Sequence, residues 1–299
     1  MKSFQYLAPI PRFDYVVPGT LSDLFEALEG KDKEVAILAG GTDIMIALKE
    51  RMISPDVVVD LSRLRGELGG IGASKGVLHI GALATFSEIE SSHLVRRYAN
   101  ALRQAAANVG TLQIRSIATL GGNLATASPA ADSAPPLIAL GANVTLLSRS
   151  GQRTVPVQSF FTGPKRNGLR RGEIVSSVEI PAEGLSSAWT RAAVRNENVL
   201  STVSVAVATA IHDGKFGTSR VALGAVAPTP ILAERSSSAM TGSEATARQA
   251  DKVATLAAED SKPISDIRAS EHYRRRLVHV LTRRLILQLI SEVVGVEQD

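Results

Sequence analysis

Two glycine pairs are the residues best placed to do chemistry in this chain. Gly40–Gly41 lies in AILAGGTD (36–43), and Gly121–Gly122 in ATLGGNLATASPAADS (118–133), a stretch of mostly small residues, uncharged until Asp132. A residue without Cβ admits positive φ and lets another group touch the backbone directly. Consecutive amides in such a turn form a concave nest that holds an anion without a cationic side chain. A helix starting just beyond adds about 0.3–1 kcal/mol per favourable charge. GGTD followed by IMIALKERM (44–52) fits that description, whereas Gly121–Gly122 fits it in part, because ATASPA does not read as a helix.

Either pair alone reads as a tight strand connection. Taken together they suit one extended anion gripped twice, such as the pyrophosphate of a dinucleotide, with Ser128 and Asp132 downstream for its polar groups. A Rossmann fingerprint is the weaker fit. AGGTD is not G-x-G-x-x-G, only Asp60 stands about 20 positions on, and one glycine turn is expected rather than two.

Other chemistry is sparse. The five histidines (His79, His93, His212, His272, His279) lack metal-site spacing, and the chain has no cysteine, so thiol nucleophiles and Cys-ligated zinc or iron–sulfur centres are excluded. Neither a G-x-S-x-G elbow nor a Walker loop occurs. We therefore assign no catalytic side chain and no metal ligand, and expect the chemistry to belong to a bound cofactor.

The elements around these residues follow from pattern. Thr20 caps a helix whose apolar stripe is Leu21, Leu24, Phe25 and Leu28. VAILA (35–39) reads as a buried strand, followed by the GGTD turn, a short helix and the strand DVVVDL (56–61). VLHIGALA (77–84) is a strand, and 86–109 holds one or two helices. After the second glycine pair come a short helix and a strand in PPLIALGANVTLLS (135–148), then the strand GEIVSSVEIP (172–181). AEGLSSA (182–188) reads as a linker, placing a boundary near residue 185. Beyond it, 199–214 and 219–228 form a strand pair joined through HDGKFGT, and helices cover about 242–258 and 270–293. In the last helix, Val278, Leu281, Leu285 and Leu289 make a stripe read as core before partner contact.

With 299 residues, 44% hydrophobic and 21% charged, the composition is that of an ordinary globular protein. No apolar run reaches the ~18 residues of a membrane span, and MKSFQYLAPIPRFDY lacks the pattern of a signal peptide, so a cytoplasmic location is expected. A net charge of +4 invites a nucleic-acid reading, but 33 basic and 29 acidic residues are interspersed and aromatics amount to 4%. KRNGLRR (165–171) and YRRRLVHVLTRR (273–284) read as solvated faces, and no nucleic-acid partner is expected.

The chain resembles the FAD-binding medium subunit of the molybdenum hydroxylases over nearly its whole length. The resemblance rests on FDYVVPGTLSDLFEAL (13–28), LAGGTDIMIALKERMISPDVVVDLSRL (38–64), HIGALATFSEI (79–89) and SEHYRRRLVHVLTRRL (270–285). It is most specific in QIR, TLGGN and ASPAADS in order, followed by FFTGPKRNGLRRGEIVSSVEIP (160–181). It implies an α+β protein: a two-part FAD-binding domain of the vanillyl-alcohol-oxidase (PCMH) type over 1–181, with subdomains of about 1–60 and 61–181, and a smaller sheet-plus-helices domain over 187–299.

By that resemblance, non-covalent FAD is held by Ile37, Leu38, Ala39, Gly40, Gly41, Thr42, Asp43 and Ile44. Thr119, Leu120, Gly121, Gly122 and Asn123 form the second segment, with Ser128, Asp132, Leu169 and Arg191 completing the set. It further implies two partner chains in a hetero-oligomer, a large subunit with a molybdenum cofactor and a small one with [2Fe–2S] clusters. The flavin takes electrons singly from the small subunit and passes them in pairs to an external acceptor. The C-terminal part departs from the family pattern of an aromatic, a Lys, an Arg and an Asp. Here Trp189, Arg191 and Arg195 occupy the first three places, and Asn198 or Val199 replaces the Asp. The alternatives are a stand-alone flavin oxidoreductase of the same superfamily and a flavin-free scaffold subunit.

Overall fold

The computed structural model describes residues 10–30, 32–195 and 199–296. It opens with β1 (Asp14–Val16), α1 (Leu21–Leu28), β2 (Val35–Leu38), α2 (Ile44–Lys49) and β3 (Val57–Asp60). Thr20 caps α1 in a full capping box with Asp23, and Leu24, Phe25 and Leu28 face inward, as the stripe predicts. The strands pair in parallel in the order β1-β3-β2, so β2 is an edge. That position corrects the expectation of a buried strand at 35–39: β3 is buried along Val57–Val59, while β2 is partly exposed and Ile37 is exposed. The short helix α3 (Arg65–Leu68) leads out of this unit.

The middle of the chain runs β4 (Ile71–Ser74), β5 (Val77–Gly81), α4 (Phe86–Ser91), α5 (His93–Tyr98), α6 (Asn100–Ala106), α7 (Leu112–Arg115), α8 (Leu120–Thr126) and α9 (Ala134–Ala139). It continues through β6 (Asn143–Ser148), β7 (Gly151–Pro156), α10 (Val157–Phe160), β8 (Phe161–Gly163), β9 (Arg166–Asn167) and β10 (Ile174–Pro181). Three helices rather than one or two occupy 86–106, because Ser92 caps a fresh start at His93, its side chain accepting from the Val95 amide, and Ala99 leaves helical geometry. An antiparallel sheet of order β4-β5-β10-β6-β7 carries them over a core that includes Leu78, Ile80, Phe86, Leu102, Leu120 and Leu137.

The chain ends with β11 (Ser186–Ala192), β12 (Val203–His212), β13 (Lys215–Gly224), β14 (Ile231–Leu232), α11 (Glu234–Met240), α12 (Ala247–Asp260) and α13 (Glu271–Val296). β12 and β13 turn at Asp213–Gly214 alone, both at positive φ, a tighter hairpin than HDGKFGT suggests. This four-stranded sheet is covered on both faces. Val203, Val205 and Val207 alternate onto α11–α13, while Ala206, Ala208 and Ala222 join the core of the middle unit. Double burial explains the nearly unbroken apolar run of β12.

The stripe Val278, Leu281, Leu285 and Leu289 of α13 lies in this core. Arg274 departs from the solvated reading of its cluster. It is 1% exposed, donates to the carbonyls of Thr202 and Ala225, and pairs with Asp266 at 2.7 Å. Among the described residues no helix is long and apolar enough to cross a membrane.

Candidate functional site

The first glycine turn leaves β2 at Leu38 and enters α2 at Ile44, with Gly41 at φ +77°. Gly40 touches backbone from another part of the chain. A Cβ there would lie 2.0 Å from the carbonyl oxygen of Ile117 and 2.9 Å from Cα of Ala118. No side chain can occupy that space, so glycine is what brings 39–43 against 117–119. Thr126 Oγ1 donates to Asp43 Oδ2 at 3.2 Å across the same seam. The two glycine segments therefore meet, as the sequence expectation requires. Among the described residues the amides of Gly40, Gly41, Thr42 and Asp43 have no acceptor, leaving four consecutive donors open.

The second segment is built differently, and here the expectation of a second anion-holding turn is corrected. Leu120, Gly121 and Gly122 form the first turn of α8. Its amides are engaged: Leu120 to Ala84 O at 3.0 Å, Gly121 to Ala82 O at 2.8 Å, Gly122 to Thr119 Oγ1 at 3.2 Å, and Asn123 to Thr119 O at 3.0 Å. Gly121 is needed for packing, since a Cβ would stand 2.6 Å from that of Ala82. Thr119 is the N-cap of α8. Thr119→Ala is expected to lower stability by about 1 kcal/mol, read as a fall in the urea midpoint at unchanged slope.

The loop after α8 leads across to the C-terminal sheet. Asn123 Oδ1 accepts from Ser133 Oγ at 2.6 Å, and Ser128 Oγ accepts from the Ala130 amide at 3.3 Å. Asp132 is 8% exposed, with Oδ1 accepting from Ser201 Oγ at 2.6 Å and Oδ2 from Arg191 at 3.0 Å. Burial pushes its carboxyl up to about 6, against the opposing pull of Ser201 and Arg191. Arg191 also reaches the carbonyl of Val199 at 3.4 Å, while Asn198 lies outside the described residues. Leu169 is set against α8 through its neighbour: its amide donates to Asn167 Oδ1 at 3.0 Å, and Asn167 Nδ2 to Ala125 O at 2.7 Å.

The seam thus runs from Gly40 and Asp43 against Ile117, Ala118 and Thr126, through Asn123–Ser133, to the Asp132–Arg191 pair, and the expected residues Ile37–Ile44, Thr119–Asn123, Ser128, Asp132, Leu169 and Arg191 lie in the segments these contacts join. Ser201, Thr126 and Ile117 join it without having been foreseen. Ile117, next to the turn, is 51% exposed, an apolar side chain left open where the four free amides lie. The isoleucine of IRSI was the available signal. Ser201 gave none, standing 69 residues from the carboxylate it serves.

The family profile described as the FAD binding domain in molybdopterin dehydrogenase matches residues 11–183. The chain belongs to this family of flavoproteins. Its remainder matches the CO dehydrogenase flavoprotein C-terminal domain over 188–289. The flavoprotein is 32% identical to the glyceraldehyde dehydrogenase medium chain of Sulfolobus acidocaldarius, over 92% of this chain and 97% of the relative. It is 31% identical to the xanthine dehydrogenase FAD-binding subunit of Escherichia coli O157:H7, over 92% and 95%. Its fold is similar to that of a chain in the crystal structure of quinoline 2-oxidoreductase from Pseudomonas putida 86, with a TM-score of 0.89 at 30% identity, covering 95% and 99%. The resemblance carried by QIR, TLGGN and ASPAADS is borne out, and the protein is an FAD-binding component of a molybdenum-hydroxylase-type oxidoreductase.

Proposed function

We propose that this flavoprotein is the electron-exit subunit of a cytoplasmic hetero-oligomer. It takes electrons from a small [2Fe–2S] subunit, itself supplied by a large molybdenum-cofactor subunit, and delivers them to an external acceptor. The observation that carries the reading is the set of four open amides at Gly40–Asp43, held against 117–119 by a glycine that admits no Cβ. A diphosphate needs several donors converging on it, and main-chain N–H groups supply them without a counter-cation.

Bound FAD supplies the redox chemistry, exchanging electrons singly on one side and in pairs on the other. The protein's residues do the holding. Ile37–Ile44 form one wall, with the amides of Gly40–Asp43 assigned to the diphosphate. Thr119–Asn123 form the facing wall and contribute shape and the Asn123 amide side chain rather than main-chain donors. Ser128 and Leu169 flank the walls, and the Asp132–Arg191 pair fixes the C-terminal sheet beside them. We take the domain limits as 1–181, dividing near residue 60, and 187–299. The absence of cysteine from the whole chain places the iron–sulfur relay on a partner.

The purified chain mixed with FAD and desalted is expected to retain one flavin per polypeptide, read by absorbance near 450 nm. A colourless protein with intact circular dichroism would defeat the reading and leave the flavin-free scaffold. A monomer oxidising an organic substrate without molybdenum or iron would favour the stand-alone enzyme.

A further inference from the structure

Arg274, in the first turn of α13, is the largest fully buried side chain among the described residues. Its guanidinium donates through Nη1 to the carbonyls of Thr202, at 2.5 Å, and Ala225, at 3.0 Å, and through Nη2 to Asp266 Oδ1 at 2.7 Å. Of its three nitrogens only Nε lacks an acceptor, so these three oxygens set its orientation. Asp266 is fixed by its own loop. It accepts from the amides of Arg268 and Ala269 at 2.9 and 3.2 Å, and from Arg268 Nε and Nη2 at 3.0 and 2.7 Å. Burial works against its charge, yet these bonds outweigh it and hold the carboxyl well below the ordinary range.

Both carbonyls belong to segments that grip the loop 128–132. Ala225 donates its amide to Pro129 O at 2.9 Å and stands at φ +61°. A residue with Cβ keeps such a conformation only where its surroundings over-determine it, and here Pro129 takes its amide while Arg274 takes its carbonyl. Thr202 follows Ser201, whose hydroxyl donates to Asp132 Oδ1. The Thr202 amide donates to Ala192 O at 2.8 Å, beside Arg191, the other partner of Asp132. The Lys262 amide, donating to Val226 O at 2.8 Å, brings the Asp266 loop to the same place. One guanidinium thus stands directly behind the contacts by which the C-terminal sheet holds Pro129 and Asp132.

We infer that Arg274, oriented by Asp266, is a positioning residue for flavin binding: it fixes the Thr202 and Ala225 peptides and, through them, the loop 128–132. The inference rests on the assignment of Ser128 and Asp132 to the FAD cradle. Apolar packing can stabilise a core as well as a buried ion does, but it cannot hold two carbonyls and a carboxylate to one point. A binding loop needs that kind of support from groups behind it.

FAD dissociation constants of the native chain and four variants, measured by flavin fluorescence, test it. R274M keeps the bulk and loses every donor, so FAD affinity is expected to fall about tenfold or more, as for lost charged hydrogen bonds. R274K brings three donors to the three oxygens and should bind within about threefold of native. D266N leaves the guanidinium in place without its orienting charge and is expected to weaken FAD about three- to tenfold. L289A removes a buried side chain further along α13. It should lower the urea midpoint while leaving both FAD affinity and the visible circular dichroism of bound flavin unchanged, whereas R274M alters both. Native affinity in R274M and D266N would overturn the inference, as would R274K binding no more tightly than R274M. A loss in L289A equal to that in R274M would overturn it too, by showing that general loosening of the core suffices. Should R274M not fold, D266N against L289A decides in the same way. A native chain that takes up no FAD would instead remove the cradle, and this inference with it.

Discussion

Gly40→Ala is expected to strip the protein of FAD while Gly41→Ala weakens it far less. The Cβ of alanine at position 40 would lie 2.0 Å from Ile117 O, 2.8 Å from its carbonyl carbon and 2.9 Å from Ala118 Cα. All three obstacles are main chain, and none can rotate away. The walls of the cradle must therefore separate or the turn must rearrange. Overpacking of this kind costs about 1–3 kcal/mol even where side chains can shift, and here the strain falls on the turn that carries the four open amides. We expect FAD affinity to fall by on the order of 100-fold, equivalent to about 2.8 kcal/mol. At Gly41 the penalty comes from φ +77°, about 1–2 kcal/mol for a residue with Cβ, and the nearest atom is the movable Leu38 Cδ1 at 3.3 Å. Gly66 in α3 meets nothing within 4 Å, so Gly66→Ala is the control that leaves flavin binding unchanged. Flavin titrations of the three variants, followed by absorbance or flavin fluorescence, give the ranking. Full FAD retention by Gly40→Ala would remove the cradle from the account.

Local signals in the sequence carried well where the cause was local. The Thr20 capping box, the order strand–turn–helix–strand around Gly40–Gly41, and the helix stop at Gly141 before β6 each depend on residues within a few positions of one another. The second glycine pair was misjudged because its cause is distant. Small residues from Ala118 to Ala134 look like loop, yet Thr119 caps a helix there, and Gly121 is fixed by Ala82, whose contact no local pattern announces. Two glycine pairs that look alike thus act differently: Gly40–Gly41 frees donors, and Gly121–Gly122 lets a helix dock.

Burial of charge was the least legible feature. Arg274 sits in a run of three arginines, four residues before Val278, so periodicity places it on the apolar stripe of the helix while its charge argues for solvent. In the structure it alone of the three turns inward, to Asp266 and two carbonyls. Asp132 likewise stands among alanines and prolines, and its partners come from the C-terminal sheet, 59 and 69 residues on. Such contacts tie the two halves together at the edge of the cofactor site, which makes them open to test by pH.

Arg191→Met is expected to cost about 3–5 kcal/mol near pH 7.5, because it leaves a buried carboxylate without its counter-charge. At pH 5 the same substitution should cost much less. Burial raises the Asp132 carboxyl from 3.8 to about 6, so folding favours its protonated form. The contribution of this group is complete below about 3.8, diminishes as pH rises toward 6, and is lost above it, a swing on the order of 3 kcal/mol. Removing Arg191 deletes a charge that opposes the shift, so the carboxyl of the variant titrates higher still and Asp132 is neutral at pH 5. Asp132→Asn cannot titrate, and its stability should be flatter than that of the native protein between pH 4 and 7. Combining Asp132→Asn with Arg191→Met removes both charges, leaves an amide that still accepts from Ser201, and should recover most of the stability lost by Arg191→Met at pH 7.5. Urea unfolding of the four proteins at both pH values decides the matter. Equal destabilisation of Arg191→Met at pH 5 and pH 7.5 would mean that its packing, and not the charge it offers Asp132, holds the C-terminal sheet against the cradle.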